Sequence, residues 1–193
     1  MSESTGFVLW FTGLSGAGKS TLTNALAPVL RDHGCRVEVL DGDAVRMNLS
    51  KGLSFSKEDR DTNILRIGFV ANLLARNGVA VLTAAISPYR DMRDANRKLI
   101  EGDGSAFIET YVAATLEECE ARDVKGLYAE ARAGKRSGFT GVDDPYEQPL
   151  SPEIVVPTGS EAIGASVERV LGYLESRGLI SAAGALAATR GAL

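Results

Sequence analysis

Nine residues near the amino terminus, Gly13 to Thr21 (GLSGAGKST), restrict the fold more than any other part of the chain. They follow the apolar run Phe7-Val8-Leu9-Trp10-Phe11 and lead into a segment where Leu22, Ala25, Leu26, Val29 and Leu30 recur at helical spacing. The string fits G-x-x-x-x-G-K-[ST], a phosphate-cradling loop that needs a strand before it and a helix after it. Gly13, Gly16 and Gly18 let main-chain N–H groups turn toward an anion without interference from a Cβ. The helix that follows aims its positive end at the same place. Lys19 is expected to reach the β- and γ-phosphates of ATP or GTP, and Ser20 to give its hydroxyl to Mg2+. The alternative is a glycine-rich turn with a solvated lysine. Pro28 lies inside the expected helix, where its ring and its missing N–H predict a kink.

A chain of 193 residues is expected to form one domain. Its net charge of −4 offers no general attraction for nucleic acid or an anionic membrane, so an anionic ligand has to be held by local positive groups. Cys35 and Cys119 give neither a disulfide framework nor metal-ligand spacing, and the single histidine, His33, reads as a residue at the end of the first helix. The first apolar run is five residues without a basic flank, unlike a signal peptide, and nothing approaches the roughly 18 apolar residues of a membrane span. The cytoplasm is the expected location.

Short apolar runs alternate with helical stretches, the pattern of a parallel sheet covered on both faces. The expected strands are Val8–Thr12, Arg36–Leu40, Val79–Ala84, Ile108–Ala113 and Ile154–Val156. The expected helices are Lys19–His33, Lys57–Asn77, Tyr89–Glu101, Leu116–Arg122 and Glu161–Ser176. Ser56-Lys57-Glu58-Asp59 resembles a capping box, and Gly78 is a natural stop after Asn77. The fold class is therefore α/β: a phosphate-loop kinase fold with a five-stranded, mostly parallel sheet and helices on both faces. Residues 1–177 form the expected domain, with a mobile lid over about 125–148, and 178–193 an alanine- and glycine-rich tail.

In such a sheet, ligands sit beyond the carboxyl ends of the strands. The second strand ends in Asp41-Gly42-Asp43, which sets two carboxylates beside the phosphate loop, able to hold Mg2+ or to accept a proton from an attacking hydroxyl. Asp43 has a second reading as the cap of a helix starting at Ala44, a task not expected of Asp41. Arg46, Arg60 and Asn63 suit an acceptor carrying its own phosphate or sulfate, or else are solvated surface residues. Ser87-Pro88 reads as ordinary helix-start grammar. The basic stretch Lys125 to Phe139 looks like a mobile cover with Lys125, Arg132, Lys135 and Arg136 available to phosphates, or else a solvated loop.

Together these residues resemble the adenylyl-sulfate kinase (APS kinase) family. The similarity rests on GLSGAGKST (13–21), LDGD (40–43), FSKEDR (55–60), ISPYR (86–90), CEARDVKGLYAEARAG (119–134) and GFTGVDDPYE (138–147), which occur in the family's order. The resemblance implies transfer of the γ-phosphoryl of MgATP to the 3′-hydroxyl of adenosine 5′-phosphosulfate, giving PAPS and ADP. It implies that Gly13, Ser15, Gly16, Ala17, Gly18, Lys19, Ser20 and Thr21 hold ATP phosphates, with Arg122 against the ATP adenine. Asp43, Arg46, Arg60, Asn63, Ile86, Ser87, Lys125 and Gly138 match sulfonucleotide-binding positions, and Phe55 and Phe139 match aromatics that sandwich its adenine. Ser87 also matches a serine described in the family as phosphoryl-carrying, although in-line transfer between two bound nucleotides needs no such intermediate. Asp41 is the candidate base or metal-water ligand, acting with Lys19, and Ser20 and Asp41 are the metal-side pair. Ala44, Ser54 and Ala85 depart from the commonest family pattern. A homodimer and an association with ATP sulfurylase are the implied protein partners.

Two further classes stand beside this reading. A kinase of another small acceptor, such as a sugar or a nucleoside monophosphate, would use the same scaffold. A GTP-dependent switch would need an N-K-x-D motif after an apolar strand, which the sequence lacks.

Overall fold

The computed structural model describes residues 6–181. Five strands, β1 (Phe7–Thr12), β2 (Arg36–Asp41), β3 (Val79–Ala84), β4 (Ala106–Val112) and β5 (Ile154–Val156), form one sheet in the order β2-β3-β1-β4-β5. Every pairing in it is parallel. The central strand β1 is buried along its whole length, and its two-residue period sorts it between two cores. Phe7, Leu9 and Phe11 join one apolar cluster with Leu22, Leu26 and Leu30 of helix α1 (Lys19–Asp32) and with Val170 and Leu174 of α7 (Ile163–Ser176). Val8 and Trp10 join the other with Ile64, Ile67 and Ala71 of α3 (Lys57–Ala75) and Ile100 of α4 (Arg90–Gly102). The edge strand β2 alternates between exposed and half-buried positions.

The expected strands are present, with β4 beginning two residues and ending one residue earlier than expected. Helix α1 runs through Pro28 without interruption in its assignment. Helices α3 and α4 meet where Gly68 faces Asn96, whose Nδ2 donates to the Ile64 carbonyl at 3.2 Å. Three short helices complete the fold: α2 (Gly42–Asn48), α5 (Leu116–Arg122) and α6 (Leu127–Arg132). Helix α6 lies in the stretch expected to be a loop-like cover.

The helix starts differ from the expected grammar in two places. Ser56 caps α3 by accepting from Asp59 N at 3.2 Å, but Asp59 turns its carboxylate to Ser54 N at 2.7 Å instead of back to Ser56. The reciprocal capping box belongs to Thr115 and Glu118, at the start of α5. At the carboxyl end, Ile180 is buried and Leu179 packs beside it on the first core, so packed structure continues past residue 177. Residues 182–193 of the expected tail lie outside the described residues.

Candidate active site

The loop after β1 is shaped by the requirements of a close backbone approach. Gly13 has φ +152°, and a Cβ there would stand 2.6 Å from the Val112 carbonyl oxygen. Gly18, at φ +102°, is the N-cap of α1 and supplies no side chain to the helix start, while the first turn of α1 carries no acid. The first N–H groups of this helix therefore have no side-chain cap, which is the condition for receiving an anion.

The loop's carbonyls are pulled the other way by side chains. Lys19 Nζ donates to Gly13 O at 2.9 Å and Leu14 O at 2.7 Å. Tyr128 Oη donates to Ser15 O at 2.9 Å, Arg122 to Gly16 O at 3.2 Å, and Thr158 Oγ1 to Ala17 O at 2.6 Å. Carbonyl oxygens from 13 to 17 are thus all engaged by side-chain donors. Fixing each peptide's oxygen fixes its N–H, so the donors are oriented before any ligand arrives. Lys19 is buried, and the loss of water around its ammonium lowers its pKa from the ordinary 10.5 to about 8.

Beside the loop, Ser20 Oγ donates to Asp41 Oδ2 at 2.7 Å, and Asp41 Oδ1 accepts from Asp43 N at 3.0 Å. Asp41 is therefore the N-cap of α2, a task the sequence offered as a second reading for Asp43 and did not expect of Asp41. The difference is physical: β2 extends through Asp41 and α2 begins at once, so the residue at the junction is the one whose side chain reaches the free N–H groups. A hydroxyl and a carboxylate in contact form an oxygen donor pair of the kind Mg2+ takes, with water and phosphate supplying the rest of its shell. No group of three or more His, Cys, Asp or Glu that could hold a metal ion occurs among the described residues.

The crevice next to α2 and α3 collects the remaining expected residues. Asp43 pairs with Lys125 Nζ across its mouth, and both side chains are exposed. The Arg46 guanidinium lies 4.2 Å above the Phe55 ring, which is 55% exposed, and Arg46 Nη1 donates to Ser54 O at 3.1 Å. Arg60 is buried and fully engaged. Its Nε donates to Phe55 O at 2.9 Å, Nη1 to Thr140 Oγ1 at 2.6 Å and Asp144 Oδ2 at 2.7 Å, and Nη2 to Gly138 O. One guanidinium so ties together the backbones that carry Phe55 and Phe139. Asn63 is buried with no hydrogen-bond partner for its Oδ1, an orphaned acceptor at the base of α3.

A sequence model described as adenylylsulphate kinase matches residues 5–157, a span that holds both the phosphate loop and this crevice. The chain belongs to the adenylylsulphate kinase family. It is 58% identical over 179 residues to an adenylyl-sulfate kinase of a Picosynechococcus species, covering 93% of this chain and 99% of that protein. The structure of the Mycobacterium tuberculosis APS kinase CysC in complex with AMPPNP and APS superposes with a TM-score of 0.85 at 42% identity, covering 89% of this chain and 98% of that one. A structure described as a hexameric APS kinase from Thiobacillus denitrificans matches with a TM-score of 0.72 at 40% identity, over 92% of this chain and 30% of that chain.

Several residues of the family pattern stand elsewhere than the sequence suggested. Ser87 does not cap a helix: α4 begins at Arg90 with Tyr89 as N-cap. Ser87 sits at φ +42°, is 1% exposed, and its hydroxyl accepts from Trp10 Nε1 at 3.1 Å. A hydroxyl held inside against an indole is placed to fix its loop. Ile86 O, its neighbour, accepts from Gly13 N at 3.4 Å and Thr12 Oγ1 at 2.8 Å, which fastens the acceptor-side loop to the phosphate loop. Phe139 is buried, with Tyr128 edge-on at 4.9 Å between ring centroids, whereas Phe55 is exposed. Of the basic residues expected over the phosphates, Arg132 pairs with Glu120 and Arg136 with Glu130. A cavity of about 660 Å3 is lined by Leu14 of the phosphate loop and by Tyr111, Asp143 and Tyr146 among others, and includes none of the expected site residues. Tyr128 falls within the 119–134 stretch of the family pattern but is given no role there, and Thr158 lies in none of its motifs; only the fold brings them to residues 15 and 17.

Proposed function

We infer that the chain is an ATP-dependent kinase of adenosine 5′-phosphosulfate, moving the γ-phosphoryl of MgATP to the 3′-hydroxyl to give PAPS and ADP. The observation that carries this reading is the family match over residues 5–157, because it embraces donor loop and acceptor crevice together. The uncapped start of α1 and the buried Lys19 receive the triphosphate. When phosphate oxygens arrive, Lys19 exchanges the carbonyls of Gly13 and Leu14 for a partner of opposite charge. Ser20 and Asp41 would hold Mg2+, which when bound would neutralise phosphate charge. The attacking 3′-oxygen loses its proton to Asp41, whose carboxylate is already held by Ser20 and the Asp43 amide.

On the acceptor side, an adenine stacked on the exposed Phe55 displaces the Arg46 guanidinium from that ring and leaves it free for the acceptor's anionic group. Lys125 and Asp43 part in the same event, and the orphaned Asn63 Oδ1 gains a donor. Arg60 acts by holding the Phe55 and Gly138 carbonyls. The Arg122 guanidinium, bonded to Gly16 O and Thr158 O, offers its face to the donor's adenine. A coupled assay of ADP release with adenosine 5′-phosphosulfate, AMP and sugars tests the reading. Turnover should be at least about a hundredfold more efficient with the sulfonucleotide, and equal efficiency with AMP or a sugar refutes it.

We also propose a cytoplasmic homodimer. No helix among the described residues is long and apolar enough to cross a membrane. The exposed Leu49, just after α2, and the exposed Leu65 and Phe69 of α3 line a shallow hollow together with Val70, Thr62 and Arg66, an apolar face on this side of the chain. Light scattering should give twice the chain mass for the wild type and the single mass for Phe69→Glu; a monomeric wild type ends the proposal.

A further inference from the structure

Arg93, on the first turns of α4, is 1% exposed and every nitrogen of its guanidinium is engaged. Nε donates to Glu109 Oε1 at 2.6 Å, Nη1 to Ser87 O at 2.6 Å, and Nη2 to Glu147 O at 2.7 Å. A buried ion pair between α4 and β4 is a poor way to gain stability, since two apolar side chains of similar volume would do as well. What only a planar fork can do is hold two carbonyls from two different loops at fixed spacing while its third nitrogen meets a carboxylate. Those loops are residues 86–89 and 144–148.

The two segments are joined at further points. Glu147 N donates to Pro88 O at 2.9 Å, and the Glu147 carboxylate caps α4 by accepting from Arg90 N at 2.8 Å. Tyr89 Oη donates to Asp144 Oδ1 at 2.9 Å, and Asp144 in turn holds Arg60. Against β1, Tyr146 Oη shares a hydrogen bond of 2.9 Å with Thr12 Oγ1, which also holds Ile86 O. At the centre is Ser87, a non-glycine residue whose backbone stands in the left-handed region at φ +42°. Such a conformation is strained for a residue that carries a Cβ and persists only where its surroundings impose it.

We propose that Arg93 is a positioning residue for the acceptor: it imposes the strained Ile86–Ser87 backbone and locks it to the Glu147 segment. Through that segment it sets the place of Arg60 and of the loop bearing Phe139. It touches neither nucleotide. The proposal rests on the functional reading above only for the identity of the acceptor.

The test is Arg93→Lys, which keeps a cation for Glu109 but cannot reach both carbonyls, with Thr12→Val as a second, uncharged perturbation of Ile86 O. In steady-state turnover, Arg93→Lys should raise KM for adenosine 5′-phosphosulfate about tenfold or more, the consequence of losing one charge-assisted bond, and leave KM for ATP within twofold. Thr12→Val should shift the same constant in the same direction. Hydrogen exchange on the ligand-free protein should be at least about tenfold faster in Arg93→Lys over residues 85–89 and 145–148, with α1 and α7 unchanged. Equal changes in both KM values, or a lowered melting temperature with an unaltered acceptor KM, overturn the proposal, as does unchanged exchange over the two segments. A wild-type enzyme inert toward the sulfonucleotide defeats the functional reading alone, because the exchange measurement still decides the role of Arg93.

Discussion

Lys19→Met should stabilise the ligand-free protein at neutral pH while abolishing turnover. Burial holds the Lys19 pKa at about 8, against 10.5 in the unfolded chain. Below pH 8 the unfolded state and the folded state are both protonated, and the full cost of burying the ammonium is present. Between pH 8 and 10.5 the unfolded chain binds more protons, so stability rises with pH and the cost is gone above 10.5. The difference of 2.5 units corresponds to roughly 3 kcal/mol. Against it stand the two bonds to Gly13 O and Leu14 O, worth about 1 kcal/mol each. Lys19→Met should therefore be more stable than wild type by about 1 kcal/mol at pH 7 and less stable by about 2 kcal/mol at pH 10.5, with the sign reversing near pH 9. Urea unfolding of both proteins at several pH values reads this difference. A difference that does not vary with pH would refute the argument, whatever its size. Turnover should fall at least about a hundredfold, because the charge removed faces the transferring phosphoryl.

Three further outcomes follow from the geometry. Asp41→Ala should reduce kcat at least about a hundredfold and also cost about 1 kcal/mol of stability through loss of the α2 cap, measured by parallel turnover and urea titrations. Incubation with γ-labelled ATP in the absence of acceptor should leave no label on Ser87, because its hydroxyl is buried against Trp10; a labelled Ser87 peptide in mass spectrometry would contradict the placement. Gly68→Ala should destabilise by about 1–3 kcal/mol, since the added methyl would fall on the Asn96 side-chain amide and force α3 from α4.

The phosphate loop and the sheet were legible because they depend on local patterns. The apolar run before Gly13, the helical spacing after it and the glycines at positive φ are set by adjacent residues. What was not legible depends on contacts between distant residues. Asp41 and Asp43 carry the same chemistry, and only the point where β2 ends and α2 begins decides which one caps. Ser87-Pro88 reads as a helix start until Trp10, 77 positions away, claims the serine hydroxyl. Arg60 looks like a free cation for an anionic acceptor, yet Asp144, Thr140 and two carbonyls occupy it. Helix α6 escaped notice because it is six residues long, shorter than the window that reveals a helical period. Arg93 drew no attention at all, since an arginine in a charged helix is ordinary until the fold buries it.

The most direct test is a crystal structure of the enzyme with a non-hydrolysable ATP analogue, Mg2+ and adenosine 5′-phosphosulfate. The account predicts the triphosphate on the amides of Gly16 to Ser20 and the acceptor's 3′-oxygen within hydrogen-bond reach of Asp41, in line with the γ-phosphorus. A sulfonucleotide bound away from Asp41, or a triphosphate bound elsewhere than the start of α1, would contradict it.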